Sequence, residues 1–304
     1  MKIMYQPIQI GRERMALLNH CHAIIDEYRA DGLLLTLRQL YYQLVSRDLL
    51  PNSQKEYKRL SDVVNTGRLA GVIDWDAIED RSRNLDQSAH WENPGEIIQA
   101  CASQYRLDRW ETQDIYPEVW IEKDALSGVF ERVCGPFDVP LFACRGYTSQ
   151  SEMWAAGQRF VDRIEAGKKV IIFHFGDHDP SGIDMTRDIL ERLQMFVSHH
   201  VGAEPARSCF EVRRLALNMD QVRRYQPPEN PAKATDTRFE GYRATYGDSS
   251  WELDALNPKT LVGLVRGSLE SVCDPAAWEA MLQREAEGKE QLRAAAELMS
   301  GGAA

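Results

Sequence analysis

Val170-Ile-Ile-Phe-His-Phe-Gly-Asp-His-Asp-Pro-Ser-Gly182 is an apolar strand running into a polar turn and then a helix. The apolar run ends at Phe175. Asp177 and Asp179 follow two residues apart, Gly176 and Pro180 bracket them, and Gly182 lets the backbone turn tightly into a helix over Ser181 to Phe196. A short strand buried on both faces and followed by a helix is the repeating unit of a parallel sheet. Ligand sites in such sheets lie beyond the carboxyl ends of the strands.

The same unit recurs on either side. Glu118 to Glu122 reads as a strand, Asp124 to Val133 as a helix, Val139 to Cys144 as a strand and Ser149 to Ala166 as a helix. After Phe196, Phe210 to Leu215 reads as a fourth strand. The fold class expected is therefore α/β with a parallel sheet. In it Glu122 closes the first strand, and Asp177 and Asp179 follow the third on the same sheet edge, so the three carboxylates can converge. Buried together and unpaired they would repel. An all-oxygen, all-acid set suits Mg2+, with Mn2+ as a substitute. His174 lies in the strand and His178 alternates away from the aspartates, so neither is expected as a ligand.

Upstream the chain reads as helices. Met15 to Tyr28 carries apolar residues at helical spacing. Thr36 with Gln39 forms a capping box for a helix stopped by Leu50-Pro51-Asn52, and Ser53 with Glu56 opens a third helix. Val72 to Trp75 and Ala77 to Asp80 are expected to pair as a β-hairpin. Three helices and a hairpin give the order of a winged helix-turn-helix. Thr36 to Gly71 holds six basic residues against three acidic, which makes Arg47, Lys55, Lys58, Arg59 and Arg68, beside Arg38, candidate DNA contacts. On the second helix Tyr41 belongs to the core stripe. Tyr42 is rotated off it, on a face with Arg38 and Ser46, where a guanidinium would stabilise a phenolate nucleophile.

Four regions result: 1–83, winged helix with the candidate catalytic tyrosine; 84–116, helical connector; 117–216, metal-binding sheet domain; and 217–304, its C-terminal extension. In the last, Pro227 to Pro231 is expected as a rigid loop, Trp251 to Leu256 as a turn, Lys259 to Val272 as a helix, and a further helix from Glu279.

Other classes fall away. No apolar run approaches the ~18 residues of a membrane span, and the N-terminus has no secretory leader pattern. The six cysteines include no C-x-x-C pair, so buried thiols in a reducing, cytoplasmic and nucleoid-associated setting are expected. No phosphate-loop or G-x-G-x-x-G motif occurs. The formal net charge of −10 argues against coating nucleic acid by bulk charge, but it averages unlike parts. Arg207 to Arg243 has eight basic residues against five acidic, whereas Glu270 to Glu297 has seven acidic against three basic. A confined basic channel is expected. A nucleophilic tyrosine, a carboxylate-bound metal and no nucleotide site together describe phosphodiester transesterification on double-stranded DNA.

Thr36-Leu-Arg-Gln-Leu-Tyr-Tyr42 resembles the catalytic-tyrosine motif of the topoisomerase VI A subunit and of the related meiotic double-strand-break protein. Val119-Trp-Ile-Glu-Lys-Asp-Ala-Leu126 resembles that family's first Toprim motif. Phe175-Gly-Asp-His-Asp-Pro-Ser-Gly182 is similar to the second, and Ser250-Trp-Glu-Leu-Asp-Ala-Leu256 to a stretch near the carboxyl end of the family's sequences. The likeness spans roughly residues 30 to 275 and is greatest to the stand-alone topoisomerase mini-A members. It implies a winged helix joined to a Toprim domain, with Glu122, Asp177 and Asp179 on Mg2+ and Glu122 and Arg38 also catalytic. It further implies a homodimer with shared active sites, a 5′-phosphotyrosyl link from Tyr42, and a type IIB topoisomerase-like activity with which a B-type ATPase subunit would act in trans. His178 between the aspartates departs from the family pattern. The alternatives are a Toprim nuclease using metal-activated water and a DNA-binding protein with a vestigial site.

Overall fold

A computed structural model describes residues 1–79 and 88–301. Asp80 and the expected boundary at residue 83 lie outside them. The N-terminal part is helical. α1 (Arg12–Ala30) turns Leu17, Leu18, Cys21, Ile24, Ile25 and Tyr28 to one buried face. β1 (Leu35–Thr36) runs into α2 (Leu37–Ser46), where the expected capping box forms: Thr36 Oγ1 accepts the Gln39 N–H, and Gln39 Oε1 accepts the Thr36 N–H at 2.8 Å. α3 (Gln54–Leu69) opens on Ser53, whose Oγ accepts the Glu56 N–H at 3.3 Å.

Among the described residues the expected hairpin is not formed. Asp74 instead caps a single 3-10 turn, Trp75–Ala77, by accepting the Asp76 N–H at 3.0 Å. β2 (Ile78–Glu79) then pairs in parallel with β1, Leu35 opposite Ile78. Asp74 also binds Arg29 at 2.8 Å and the N-terminal ammonium. These bonds draw the segment towards α1, where it does not fold back on itself.

After α4 (Pro94–Gln104) the chain alternates as expected: β3 (Ile115–Ile121), α5 (Ser127–Cys134), β4 (Leu141–Ala143), α6 (Gln150–Glu165), β5 (Lys169–Phe175), α7 (Pro180–Val201), α8 (Ala203–Cys209) and β6 (Phe210–Ala216). The four strands form one parallel sheet in the order β4-β3-β5-β6. Alternation along each strand supplies two cores. Val119, Ile121, Ile171 and Phe173 enter one with Phe130 and Val133 of α5, whereas Trp120, Val170 and Ile172 enter the other with Phe160 of α6 and Ile189 of α7.

The C-terminal region holds α9 (Met219–Tyr225), β7 (Glu229–Pro231), α10 (Phe239–Tyr246), β8 (Ser249–Trp251), α11 (Pro258–Glu270) and α12 (Pro275–Gly301). The proline-rich loop is in part a strand, since β7 pairs antiparallel with β8 and Pro231 takes an end position opposite Ser249, where a missing N–H is tolerated. The last helix starts at Pro275, earlier than expected, because Asp274 Oδ1 accepts the Ala276 and Ala277 N–H groups at 2.8 and 3.0 Å. Ala255 packs into the N-terminal core, and Val262 touches both that core and the sheet. All six cysteines are free; Cys21, Cys134 and Cys144 are buried as expected, but Cys101 is exposed and Cys209 and Cys273 are half-buried. Among the described residues no helix is long and apolar enough to cross a membrane.

Candidate active site

The sheet sets two of the expected acids side by side. Glu122 follows the last residue of β3 and its N–H donates to the Phe175 carbonyl at 2.9 Å. The Asp177 N–H in turn donates to Glu122 Oε2 at 2.8 Å. Asp177 itself is buried, with Oδ1 accepting the Leu253 N–H at 2.8 Å and Oδ2 lying 2.9 Å from Lys123 Nζ. Asp179 is tied into the following helix. It is the N-cap of α7, and its Oδ1 accepts from the Ser181 hydroxyl at 2.9 Å and the Gly182 N–H at 2.6 Å.

Four residues that the sequence reading did not single out complete the site. Lys123 Nζ lies 2.8 Å from Glu252 and 3.2 Å from Asp254, besides Asp177. Arg38 of α2 reaches the same two acids from the other side, through Nε to Asp254 at 2.5 Å and through Nη2 to Glu252. Arg214 of β6 donates to the carbonyls of Gly176 (3.1 Å), Asp177 (2.6 Å), Gly182 (2.9 Å) and Leu217 (3.2 Å), and so staples the aspartate loop. The available signals were Lys123 beside Glu122, Arg214 at a strand end, and an E-x-D in the Trp251 to Leu256 turn.

The cluster thus holds five carboxylates against three cations. Burial raises the Glu122 carboxyl pKa above its ordinary range, and Asp179 adds to this against the Asp177 N–H and Lys123. Asp177 is likewise raised, by burial first, with Glu122 and Asp254 adding to it against Lys123. Burial works the same way on Glu252, but Lys123 and Arg38 outweigh it and hold that carboxyl at about 2. An excess of two negative charges on oxygen ligands fits one hard divalent cation. Among the described residues no three such side chains already stand in ion-holding array, and Lys123 and the Leu253 N–H engage the two oxygens of Asp177.

Tyr42 differs from expectation. It is 5% exposed, not turned out of the core, with the Arg38 guanidinium 5.6 Å from its ring centroid. Its phenol pKa is raised, not lowered: burial, then Asp254 and Glu252, outweigh the attraction of Arg38. Arg38 cannot stabilise a phenolate strongly while it serves two carboxylates. Tyr41 clamps α2 to the start of α3, its hydroxyl accepting the Ser53 N–H at 2.7 Å and donating to the Ser53 carbonyl at 3.0 Å. A cavity of about 330 Å³ opens at Tyr42, lined also by Arg38, Asn52, Tyr57, Asn230 and Glu252.

Of the expected DNA contacts, Arg47 pairs with Glu27 at 2.9 Å, Arg59 pairs with Glu56 at 3.1 Å and with Glu13, and Arg68 donates to the Trp75 and Ile78 carbonyls at 3.1 and 2.8 Å. Lys55 and Lys58 are exposed, and no ion pair joins either to a carboxylate among the described residues. Comparison with protein-family models and comparison with curated proteins each found no match.

Proposed function

We propose that the chain breaks double-stranded DNA by Mg2+-dependent tyrosine transesterification, as the likeness to the topoisomerase VI A subunit implies, with a winged-helix part presenting Tyr42 and a Toprim part holding the carboxylates. The observation that carries this reading is one unbroken ionic path. It runs from Arg38, beside Tyr42, through Glu252 and Asp254 to Lys123 and on to Asp177. In this mechanism Tyr42 Oη bonds to phosphorus as the phenolic proton passes to water, since Lys123 and Arg38 hold Glu252 too weakly basic to take it. The bond from phosphorus to the 3′ oxygen breaks, and that oxygen leaves as a hydroxyl with a proton from water. Arg38 holds a phosphate oxygen. When bound, Mg2+ would lie on Glu122, Asp177 and Asp179 and offset charge on the phosphate and the leaving oxygen.

The buried, hard-to-ionise phenol favours a second reading, hydrolysis by water at the same carboxylates. Supercoiled plasmid incubated with Mg2+ or Mn2+ and stopped with SDS separates the two. Protein attached to 5′ ends in the wild type and lost in Tyr42→Phe supports transesterification. Free ends that survive Tyr42→Phe but vanish in Asp177→Ala overturn it. DNA binding without cleavage under either metal would leave only a binding protein. The likeness also implies a homodimer in which Tyr42 meets the partner's carboxylates and not those its own chain's ionic path reaches. Recovery of nicking by a mixture of inactive Tyr42→Phe and Asp177→Asn proteins would support that arrangement, and no recovery the one within a single chain. A B-type ATPase subunit is the partner proposed for strand passage.

A further inference from the structure

We propose that Lys123 is the resident cation of the carboxylate edge, and that a divalent ion binds there by displacing the Lys123 ammonium from Asp177 onto Glu252 and Asp254. The inference rests on the carboxylate–metal reading above and adds to it the residue that must give way. Lys123 Nζ has three donors and three carboxylate partners, Asp177 at 2.9 Å, Glu252 at 2.8 Å and Asp254 at 3.2 Å. Asp177 cannot offer Oδ2 to an ion while it holds the ammonium, and Leu253 N–H holds its other oxygen at 2.8 Å.

Displacement does not strand a buried charge, which would be costly. Two of the three partners of the ammonium remain, and both are already within bonding distance. A lysine on its flexible stem can make that shift, whereas the forked guanidinium of Arg38 on the far side of the same acids is fixed in place. Charge also divides evenly after the shift. Lys123 and Arg38 balance Glu252 and Asp254, while Arg214 and one divalent ion balance Glu122, Asp177 and Asp179. The backbone bond from Leu253 ties the two sets together, because the residue that fixes Asp177 lies between the two acids that receive Lys123.

The test is Mn2+ binding to the full-length protein by calorimetry, together with a crystal structure of the Mn2+-bound wild type. Lys123→Met is expected to tighten Mn2+ binding about tenfold. Glu252→Gln, which removes one receiving carboxylate, is expected to weaken it. The bound structure is expected to show Lys123 Nζ on Glu252 and Asp254 and off Asp177. Mn2+ binding that is unchanged or weaker in Lys123→Met overturns the proposal while leaving the metal site standing. A Mn2+-bound wild type with Lys123 still on Asp177 does the same, and needs no variant to fold. Absence of Mn2+ binding in the wild type and in both variants removes the carboxylate–metal reading and this inference with it.

Discussion

Gly182 has no side chain because the Asp177 carbonyl occupies that space: a Cβ built there would lie 2.3 Å from the oxygen. Both partners are backbone, so neither can swing aside. Gly182→Ala is expected to cost roughly 2–3 kcal/mol, to lower the thermal midpoint in calorimetry and, on the metal reading proposed above, to weaken Mn2+ binding by moving Asp177. The raised phenol of Tyr42 gives a second test at this scale. An ultraviolet pH titration of wild type against Tyr42→Phe should reveal no Tyr42 tyrosinate at the pH where free tyrosine ionises. Glu252→Gln removes one of the anions that oppose ionisation, so it should bring that transition down. Glu122 and Asp177 were legible as neighbours because strand ends on one sheet edge are a local pattern, whereas the capping of α7 by Asp179 was not read. The partnership of Arg38 with Glu252 and Asp254 spans more than two hundred residues, and no periodicity reports a contact of that kind. Lys123 was hidden differently, since a lysine next to an acid ordinarily reads as solvated surface.

At the scale of elements, capping and alternation were readable, and non-local pairing of short strands was not. Thr36 and Gln39 close the expected reciprocal box at the start of α2. Thr36→Ala should therefore destabilise the protein by about 1 kcal/mol, and Thr36→Ser should keep most of that contribution, both measurable by denaturant unfolding. The four strands of the sheet fell where apolar runs predicted them, within a few residues. The hairpin reading failed because the partner of Ile78 is Leu35, far upstream and not adjacent in sequence. β7 escaped because Pro228 and Pro231 mark a loop by composition, although an end position in a two-stranded ladder tolerates them.

For the molecule as a whole, the distribution of charge matters more than its sum. Three of the five cations expected to meet phosphates, Arg47, Arg59 and Arg68, are engaged within the protein. On the DNA reading proposed above, binding should therefore weaken with salt at a slope that falls by about 2 in the Lys55→Ala, Lys58→Ala double variant and is unchanged in Arg47→Ala. Glu285 of α12 ties that helix to the connector by accepting from Arg109 at 3.0 Å, and it also accepts from Lys289 of its own helix at 2.6 Å. Burial opposes its ionisation, but these two cations and the Leu107 N–H prevail and hold its pKa at about 2. A carboxylate depressed on folding contributes stability above its unfolded value of about 4.3. That contribution is lost as pH falls through about 2. Glu285→Gln should thus cost roughly 1–3 kcal/mol at neutral pH, and the gap from wild type should close progressively on acidification between those two values. Urea unfolding at a series of pH values measures it.

The seating of Ala255 in the N-terminal core has a consequence for the order of events during synthesis. Residues 12 to 78 are made first, and the side chain that fills their core and the two acids that engage Arg38 follow some two hundred residues later. Until then Arg38 carries an unneutralised charge and the tyrosine helix has an open flank. The nascent chain therefore cannot hold a completed site while the ribosome is still translating the sheet. Assembly of Tyr42 with the carboxylates therefore waits until residues 252 to 255 have been made.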